Sequence, residues 1–180
     1  MNDDRPWWEP TGPRSTPEGV VREVRPEELV ALRRAVLRNG RTDPPSEHPD
    51  DHRVTSLHLG LEDPDGGVIG GVTVVVNPLP GFATLHLVLM AVDPGHRRRG
   101  IGRLLVEQVQ EHARAAGLSV WAAARVTALG FYVDLGFRPI GDDFVGRMDL
   151  PHRRVLWSPG VTAAGAARSG PSRRAGSGER

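Results

Sequence analysis

The sequence contains neither lysine nor cysteine, and these two absences exclude several kinds of chemistry. All 23 basic residues are arginine, so a Walker-type phosphate loop and a Schiff-base enzyme are excluded, because each requires a lysine. Without cysteine there is no disulfide framework, no thiol nucleophile and no thiolate metal site. A chain without disulfides also fits an intracellular protein, and we expect a cytoplasmic location.

The sequence also has little net charge and no long hydrophobic segment. The formal net charge of +1 does not indicate a protein that binds polyanions. The polar, proline-rich N-terminus has no signal-peptide pattern, and no apolar run is long enough to cross a bilayer. We therefore expect no membrane partner. A chain of 180 residues is long enough for one domain with a proper core.

The two ends of the sequence differ in composition from its middle. Residues 1–18 are rich in proline and charge without periodicity, which predicts a flexible arm, although Trp7 and Trp8 are candidates for docking on the body. Residues 158–180 are mainly Gly, Ala, Ser and Arg. Because no aromatic residues for base stacking interleave with these arginines, we interpret the segment as a disordered tail and expect no specific nucleic acid partner. Residues 19–157 are predicted to form one domain.

Hydrophobic periodicity between the two ends predicts strands alternating with helices. Helices are expected from Pro26 to just before Gly40, from about Arg99 to Ala116, and over residues 126–136. An antiparallel meander comes first and a β-α-β-α-β portion follows, which indicates the mixed α/β class. The predicted strands cover residues 20–25, 56–62, 68–76, 83–92, 119–124, 137–140 and 152–157.

Residues 96–105, HRRRGIGRLL, place three arginines directly before a predicted helix. A helix N-terminus carries about +0.5 of an elementary charge, and each cation there costs about 0.3–1 kcal/mol. A bound anion would remove this conflict, because free N–H groups point outward at a helix start and Gly100 and Gly102 let a ligand approach the backbone. The dinucleotide fingerprint G-x-G-x-x-G does not fit, since Leu105 occupies the position of its third glycine.

The spacing that does fit is Arg97-x-x-Gly100-x-Gly102, and with it the sequence resembles the GNAT superfamily of acyl-CoA-dependent N-acyltransferases. The superfamily signature, [Q/R]-x-x-G-x-[G/A] after a strand and a V-D-P-like turn, reads MAVDPGHRRRGIGRLL from residue 90. A second landmark, a helix with A-x-x-F-Y that ends in G-F, is matched by ALGFYVDLGF from residue 128. The resemblance covers residues 20–157 and implies a mostly antiparallel sheet, splayed in the middle and flanked by helices.

The resemblance also implies roles for individual residues. The backbone of Met90, Ala91 and Val92 would hold the pantetheine arm of acetyl-CoA as a strand would, and the signature amides would surround the pyrophosphate. Tyr132, the only tyrosine, would lie beside the thioester sulfur and protonate the departing thiolate. The alternative for Tyr132 is an aromatic residue of the core. The signature residues that the resemblance assigns to the cofactor are Arg97, Arg98, Arg99, Gly100, Ile101, Gly102 and Arg103.

The sequence departs from the family pattern at two places. Arg125 stands seven residues before the tyrosine, where family members often carry an asparagine that touches the cofactor, so we assign Arg125 to the cofactor too. The strand 83–92 has no glutamate to act as general base. His86 on this strand is a candidate base, water is another, and a packed structural histidine is the alternative. Asp93 is expected to set the turn before Pro94.

The histidines of EHPDDH, residues 47–52, lie four positions apart with acids between them. That spacing suits a metal ion only on a helix, which Pro49 breaks, so we predict a solvated loop and no metal site. In the implied fold this loop borders the acceptor side, where its carboxylates would attract a cationic amine. The carboxylates concerned are Asp43, Glu47, Asp50 and Asp51.

The predicted function is transfer of an acetyl group from acetyl-CoA to a primary amine. Direct attack is expected, without a covalent enzyme intermediate, since cysteine is absent. The alternative is a non-catalytic acyl-CoA-binding module on the same fold, which Arg125 and the missing glutamate favour. A third interpretation, nucleic-acid binding through the basic tail, predicts retention on DNA that disappears with salt. The acceptor amine, the acyl group and the formation of a homodimer stay open at this stage.

Overall fold

The structure is a computed structural model that describes residues 5–43, 45–146 and 149–160. Its α-helices are α1 (Pro26–Leu37), α2 (Ile101–Ala115) and α3 (Leu129–Val133). Single 3-10 turns precede α2 and α3, at Pro94–His96 and Val126–Ala128. The strands are β1 (Arg14–Thr16), β2 (Gly19–Glu23), β3 (Leu57–Glu62), β4 (Val68–Leu79), β5 (Ala83–Val92), β6 (Val120–Arg125), β7 (Arg138–Val145) and β8 (Pro151–Trp157).

The strands form one sheet in the order β1-β2-β3-β4-β5-β6-β8-β7. Every neighbouring pair is antiparallel except β5 and β6, which run parallel and are joined by α2 as a crossover helix. A parallel pair requires such a crossover, whereas the antiparallel pairs β3–β4 and β7–β8 are joined directly. The predicted mixed α/β class, with a mostly antiparallel sheet flanked by helices, is confirmed.

The helix α2 is amphipathic and packs on the sheet along its apolar stripe. The helix ends before Gly117, whose φ of 67° is the left-handed conformation that glycine adopts without steric cost. The N–H of Leu118 then donates to the carbonyl of Ala113 at 2.8 Å, which satisfies an acceptor of the last turn. The fully buried residues of the stripe, none more than 1% exposed, are Ile101, Leu105, Val109 and Ala113.

Two consecutive glycines show that α1 and α2 lie on opposite faces of the sheet. A Cβ at Gly70 would lie 2.5 Å from the side chain of Ile101 in α2, and a Cβ at Gly71 would lie 2.5 Å from Leu29 in α1. Consecutive residues of a strand face opposite sides of a sheet. The two sides are called here the α1 face and the α2 face.

The helix α3 and the strand β4 are among the elements that differ from their predicted extents. The helix predicted over 126–136 is shorter, because Gly136 has a φ of 81° and the N–H of Phe137 donates to the carbonyl of Tyr132 at 3.0 Å. This is the hydrogen-bond pattern of a Schellman motif, which ends a helix. The strand β4 continues to Leu79, although Asn77 and Pro78 predicted a break there. Its last residue pairs with Ala83 at the start of β5.

The prediction of a flexible arm does not hold for the described part of residues 1–18. The strand β1 pairs with β2, and Trp7 is only 9% exposed within the core. The indole N–H of Trp7 donates to the carbonyl of Thr55 at 3.1 Å, and that of Trp8 donates to Glu23 at 3.1 Å. Docking of both tryptophans is thus confirmed, because each ring finds both an apolar surface and a hydrogen-bond acceptor.

The predicted tail, residues 158–180, lies outside the described residues except for 158–160. The hydroxyl of Ser119 donates to that of Ser158 at 2.9 Å, so the chain stays attached to the body at least one residue beyond β8. The domain limits at residues 19 and 157 remain predictions. The packing of residues 5–16 indicates that the N-terminal limit lies earlier than 19.

Candidate active site

The sheet opens at its centre, between β5 and β6. These strands pair only over residues 85–87 and 120–122. Beyond the paired region, β5 carries an irregularity against β4 and Leu89 has a φ of 50°, which is uncommon for a residue with a side chain. Such a bulge bends a strand and increases its twist. As a result, the edge of Met90–Val92 that faces β6 has no strand partner, and its backbone groups are available to a ligand.

A cavity of about 640 Å³ occupies the opening between the strands. Residues 86–92 of β5 and 123–125 of β6 form two of its walls, and Tyr132 contributes to a third. The predicted site residues Met90, Ala91, Val92, Arg97, Arg125 and Tyr132 therefore meet around one space. The other residues on its wall are Val36, Leu37, Arg38, His48, Ala128, Phe144, Gly146 and His152.

The turn from β5 into α2 is held by Asp93, as the sequence indicated. Its carboxylate accepts from the ring Nδ1 of His96 at 3.0 Å and from the backbone N–H of Gly95 at 2.9 Å. The hydrogen bonds from His96 and then Gly95 lower the pKa of this carboxyl. Asp93 therefore acts within the turn, which fixes the position of the residues that follow.

The start of α2 presents free backbone N–H groups. Gly100 precedes the helix with a φ of 81°, a left-handed conformation. Leu104 makes the first hydrogen bond of the helix, to the carbonyl of Gly100 at 3.0 Å. The N–H groups of Ile101, Gly102 and Arg103 therefore have no acceptor within the helix. Together with the positive end of the helix dipole, they form a site that suits a phosphate group.

Three exposed arginines surround this helix start. Arg99 lies 3.8 Å from Glu18, while Arg97 and Arg98 form no ion pair within the described part of the chain. Arg97 also lines the cavity. The cations repel one another and the positive end of the helix dipole, so a bound anion would stabilise the arrangement.

The side chains of the first turn of α2 point in different directions. Ile101 is 1% exposed and belongs to the core, so only its backbone can serve a ligand. A Cβ at Gly102 would lie 3.5 Å from the ring of Phe131, an ordinary van der Waals distance. Arg103 is exposed and lies 3.5 Å from Glu107. None of these three residues lines the cavity. Arg97, in the turn before α2, is the residue of this region that does.

Tyr132 combines a packed ring with access to the cavity. The ring contacts Phe131 and Phe137 edge to face, with centroids 5.2 and 5.3 Å away, and the residue is 6% exposed. Its hydroxyl donates to no other described residue. Burial raises the pKa of the phenol to about 12. The hydroxyl therefore stays protonated at neutral pH.

The polar residues of the opposite wall lie on the α1 face. Ala122 and Ala124 of β6 belong to the core cluster that contains α2, so Trp121 and Arg125 face the other way. The ring of His86 stacks on Trp121 at a centroid distance of 3.5 Å, and its Nδ1 lies 3.3 Å from the amide nitrogen of Asn77. In strand register, Arg125 stands opposite His152, and such partners share a face.

Arg38 and His48 reach the same wall from α1 and from the loop that follows it. The guanidinium of Arg38 donates twice to the carbonyl of Pro45, at 3.1 and 3.3 Å. The backbone N–H of His48 donates to the carboxylate of Asp51 at 2.8 Å. Sequence reasoning missed Arg38, His48 and His152, because they come from three segments that no spacing connects.

A buried polar network holds this loop against the sheet. Asp51 and Arg33 form an ion pair at 2.6 Å, with both side chains only 1% exposed. Arg33 also donates to the hydroxyl of Thr73. The ring of His58 lies 2.8 Å from that hydroxyl and 2.8 Å from the backbone oxygen of Asp51. Burial lowers the pKa of His58, which favours the neutral ring.

The prediction of a solvated loop is wrong for Asp51, and none of the four loop carboxylates lines the cavity. Asp51 is buried and neutralised by Arg33, and Asp50 lies 2.6 Å from the guanidinium of Arg53. Asp43 and Glu47 are exposed and do not line the cavity.

Across the described ranges, no three histidine or carboxylate side chains are grouped as metal ligands. No helix among those residues has the length and apolar character of a membrane span.

Comparisons with known proteins agree with this architecture. The acetyltransferase (GNAT) family profile matches residues 25–137. The uncharacterized N-acetyltransferase YitI of Bacillus subtilis is 27% identical over 135 residues, which are 73% of this chain and 87% of YitI. The chain therefore belongs to the GNAT acetyltransferase family, as its signature indicated.

Solved structures share the fold at low sequence identity. An acyl-CoA N-acyltransferase from Pseudomonas aeruginosa superposes with a TM-score of 0.62 at 18% identity, covering 72% of this chain and 87% of that one. An aminoglycoside 6'-N-acetyltransferase solved with coenzyme A superposes with a TM-score of 0.60 at 14% identity, covering 77% and 96%. At these identities, the likeness supports the fold.

Proposed function

We propose that this protein transfers an acetyl group from acetyl-CoA to a primary amine. The observation that carries the proposal is the position of Tyr132 on the cavity where β5 and β6 separate. A buried tyrosine hydroxyl normally has a hydrogen-bond partner. The hydroxyl of Tyr132 has no hydrogen-bond partner among the described residues. Because Tyr132 lines the cavity, a reacting group bound there can provide that partner.

The donor side, defined as Met90–Val92, Arg97–Arg103 and Tyr132, fits an acyl-CoA in charge and in backbone geometry. Free N–H groups and three arginines at the start of α2 suit the pyrophosphate. The unpaired edge of Met90–Val92 suits the amides of a pantetheine arm, because both partners can form strand-type hydrogen bonds. Acetyl-CoA, when bound, supplies an activated acyl group as a thioester. These features support a site for the pyrophosphate, the pantetheine arm and the thioester of the donor.

The chemistry assigned to Tyr132 is hydrogen bonding and proton transfer to the leaving sulfur. A bond forms between the amine nitrogen and the acetyl carbon while the C–S bond breaks. Tyr132 donates its proton to the sulfur, and the phenolate recovers a proton that the acylated nitrogen releases. With the pKa of the phenol at about 12, transfer to a thiolate whose conjugate thiol has an ordinary pKa of ~8.5 is uphill alone. The phenolate must therefore regain a proton from the acylated nitrogen in the same step in which Tyr132 protonates the sulfur.

An ammonium acceptor must first lose a proton. His86 lines the cavity, but its ring is stacked on Trp121 and its Nδ1 lies beside Asn77. These contacts hold the ring in place, as expected for a packed histidine. We assign the deprotonation to water that reaches the cavity, with His86 as the side chain to test against it.

The rival function is an acyl-CoA-binding module without catalysis, which Arg125 in place of the family asparagine favours. A panel of amines and peptides incubated with acetyl-CoA, with the free CoA thiol recorded, separates the two. Enzyme-dependent thiol release with any acceptor supports the transferase. Stabilisation of the fold by acetyl-CoA, without thiol release above the acceptor-free rate, would favour the module.

A further inference from the structure

The acceptor side of the cavity carries cationic and titratable nitrogen groups and, among the described residues, no carboxylate. We define this acceptor side as Arg38, His48, His86, Arg125 and His152, which line the cavity on the side away from α2. The guanidinium groups of arginine are always charged. The site is therefore positive even when all three histidines are neutral.

Nearby carboxylates do not line the cavity, and each pairs with an arginine, although those of Asp50 and Asp51 also contact His48. Asp51 is buried against Arg33, at 2.6 Å. Asp50 pairs with Arg53, and Asp143 of β7 pairs with Arg153, each at 2.6 Å. None of these three carboxylates lines the cavity.

Arg125 is the clearest cation of this side. It lines the cavity and forms no ion pair among the described residues. Its position on the α1 face separates it from the helix start where Arg97, Arg98 and Arg99 gather. The resemblance to the family assigned Arg125 to the cofactor, whereas its place in the sheet favours a partner on the acceptor side.

We propose that the acceptor is an amine that also carries an anionic group, a carboxylate or a phosphate, which Arg125 binds. This inference rests on the proposed transferase function and specifies its substrate class. Arginine binds both anions through paired N–H donors. A polycationic amine is disfavoured, because it would bring a second positive charge into a positive, partly desolvated cavity.

Matched acceptor pairs test the proposal with the full chain and acetyl-CoA. One pair is an α-amino acid and its amide, and another is 2-aminoethyl phosphate and ethanolamine. Spermidine serves as the polycationic acceptor. We expect kcat/KM, from thiol release, to be at least about 10-fold higher for the anionic member of one pair, as loss of a charge-assisted hydrogen bond predicts. The pair that responds distinguishes carboxylate from phosphate.

Arg125→Gln tests the assignment of the cation. This variant should raise KM for the anionic acceptor about 10-fold and reduce the preference within the pair, while the acetyl-CoA Kd stays within about twofold. Arg153→Gln is the matched control, because Arg153 is an arginine of β8 that pairs with Asp143 and does not line the cavity. Melting temperatures of both variants show whether they fold.

The outcomes separate this inference from the proposed function. Turnover of neutral amines or spermidine at or above the anionic rate overturns the inference and leaves the transferase standing. If Arg125→Gln raises the acetyl-CoA Kd and leaves the acceptor KM unchanged, Arg125 binds the cofactor, and the inference of an anionic acceptor is also overturned. If no acceptor reacts, the transferase is wrong, and calorimetric binding of the same pairs to the CoA-loaded protein still decides between anionic and neutral ligands.

Discussion

The donor side and the acceptor side of the cavity are built in different ways. The donor side comes mainly from one stretch of chain, residues 90–103, and binds through backbone N–H groups and a bulged strand edge. The acceptor side comes from α1, the loop after it, β5, β6 and β8, and presents only side chains. A site made of backbone needs glycines and turns at fixed spacing, whereas a site made of side chains does not.

This difference implies that substitutions act differently on the two sides. On the donor side, the proposed chemistry depends on the hydroxyl of Tyr132 and on open space at the start of α2. On the acceptor side, the wall depends on a loop that a buried ion pair holds in place. Substitutions on the donor side should change turnover or acetyl-CoA binding. Substitutions on the acceptor side or in its supporting loop should change stability and acceptor binding.

The largest effect is expected from Tyr132→Phe. The variant keeps the ring and its contacts with Phe131 and Phe137 but removes the proton donor. Loss of a positioned general acid typically lowers the rate about 10²–10⁴-fold. We expect that loss in kcat, with the acetyl-CoA Kd nearly unchanged, since the phosphate and pantetheine contacts lie elsewhere. Steady-state thiol release and calorimetry on the same preparations measure both quantities.

The melting temperature of Tyr132→Phe is its internal control. The hydroxyl has no partner among the described residues, so its removal should cost the fold little. Turnover within about threefold of the parent, far from the usual loss of a general acid, would make Tyr132 a packing residue.

A large loss of stability is expected from Asp51→Asn, in the loop that carries His48 of the acceptor side. Removing one partner of a buried ion pair leaves the other charge uncompensated and typically costs about 3–5 kcal/mol. Asp50→Asn is the matched control, one residue away, because its partner Arg53 is largely exposed and such pairs contribute about 0–1 kcal/mol. Urea unfolding of the parent and both variants gives the comparison. Equal losses in the two variants would contradict the structural role of the buried pair.

Gly102→Glu should remove acetyl-CoA binding from a folded protein. The added carboxylate would lie at the start of α2, where we propose that the phosphates bind, and like charges repel. Gly102→Ala is the control, because its Cβ would meet Phe131 only at 3.5 Å. We expect a rise in melting temperature with acetyl-CoA for the parent and the alanine variant. An equal rise in the glutamate variant would show that the phosphate site lies elsewhere.

The same contrast explains what could be predicted from the sequence. The strands and helices follow from hydrophobic period, and Gly100 and Gly102 locate the helix start because backbone recognition needs them at that spacing. Arg38, His48 and His152 could not be predicted, because only the packing of α1 and the sheet brings them together. Asp51 was misread as solvated, since nothing in its local sequence shows that Arg33 lies against it.

Residues 1–18 were misread for a related reason. Proline and charge predict an unattached segment, but β1 gains its stability from pairing with β2, and Trp7 from the core and the carbonyl of Thr55. Local composition indicates the conformation that a segment prefers in isolation, and tertiary contacts can override that preference.

A moderate effect of pH on stability is expected through His58. Burial lowers its pKa in the folded protein, while the unfolded chain keeps a value of ~6.5. Below that pH the unfolded state binds more protons than the native state, so stability falls as the pH falls and is fully present above it. Urea unfolding at about pH 7.5 and about pH 5.5 should show this loss, and His58→Gln should show a smaller one.

His112 makes this comparison necessary, because burial lowers its pKa too. It is present in both proteins, so the difference between the parent and His58→Gln isolates the network at Asp51. An identical loss of stability in the two proteins would assign the acid sensitivity to His112 and the α2 face.

The smallest effect is expected from deletion of residues 161–180. Within the part of the chain that the structure describes, the last strand ends at Trp157 and no residue after it lines the cavity. The melting temperature should change by less than about 1 °C, which corresponds to less than ~0.5 kcal/mol in a domain of this size. Deletion from residue 158 onward is the matched control, because it also removes the hydrogen bond between Ser119 and Ser158. It should cost an additional ~0.5–1.5 kcal/mol. A shorter deletion that lowers the melting temperature as much as the longer one, or that weakens acetyl-CoA binding, would show that the domain extends past residue 160.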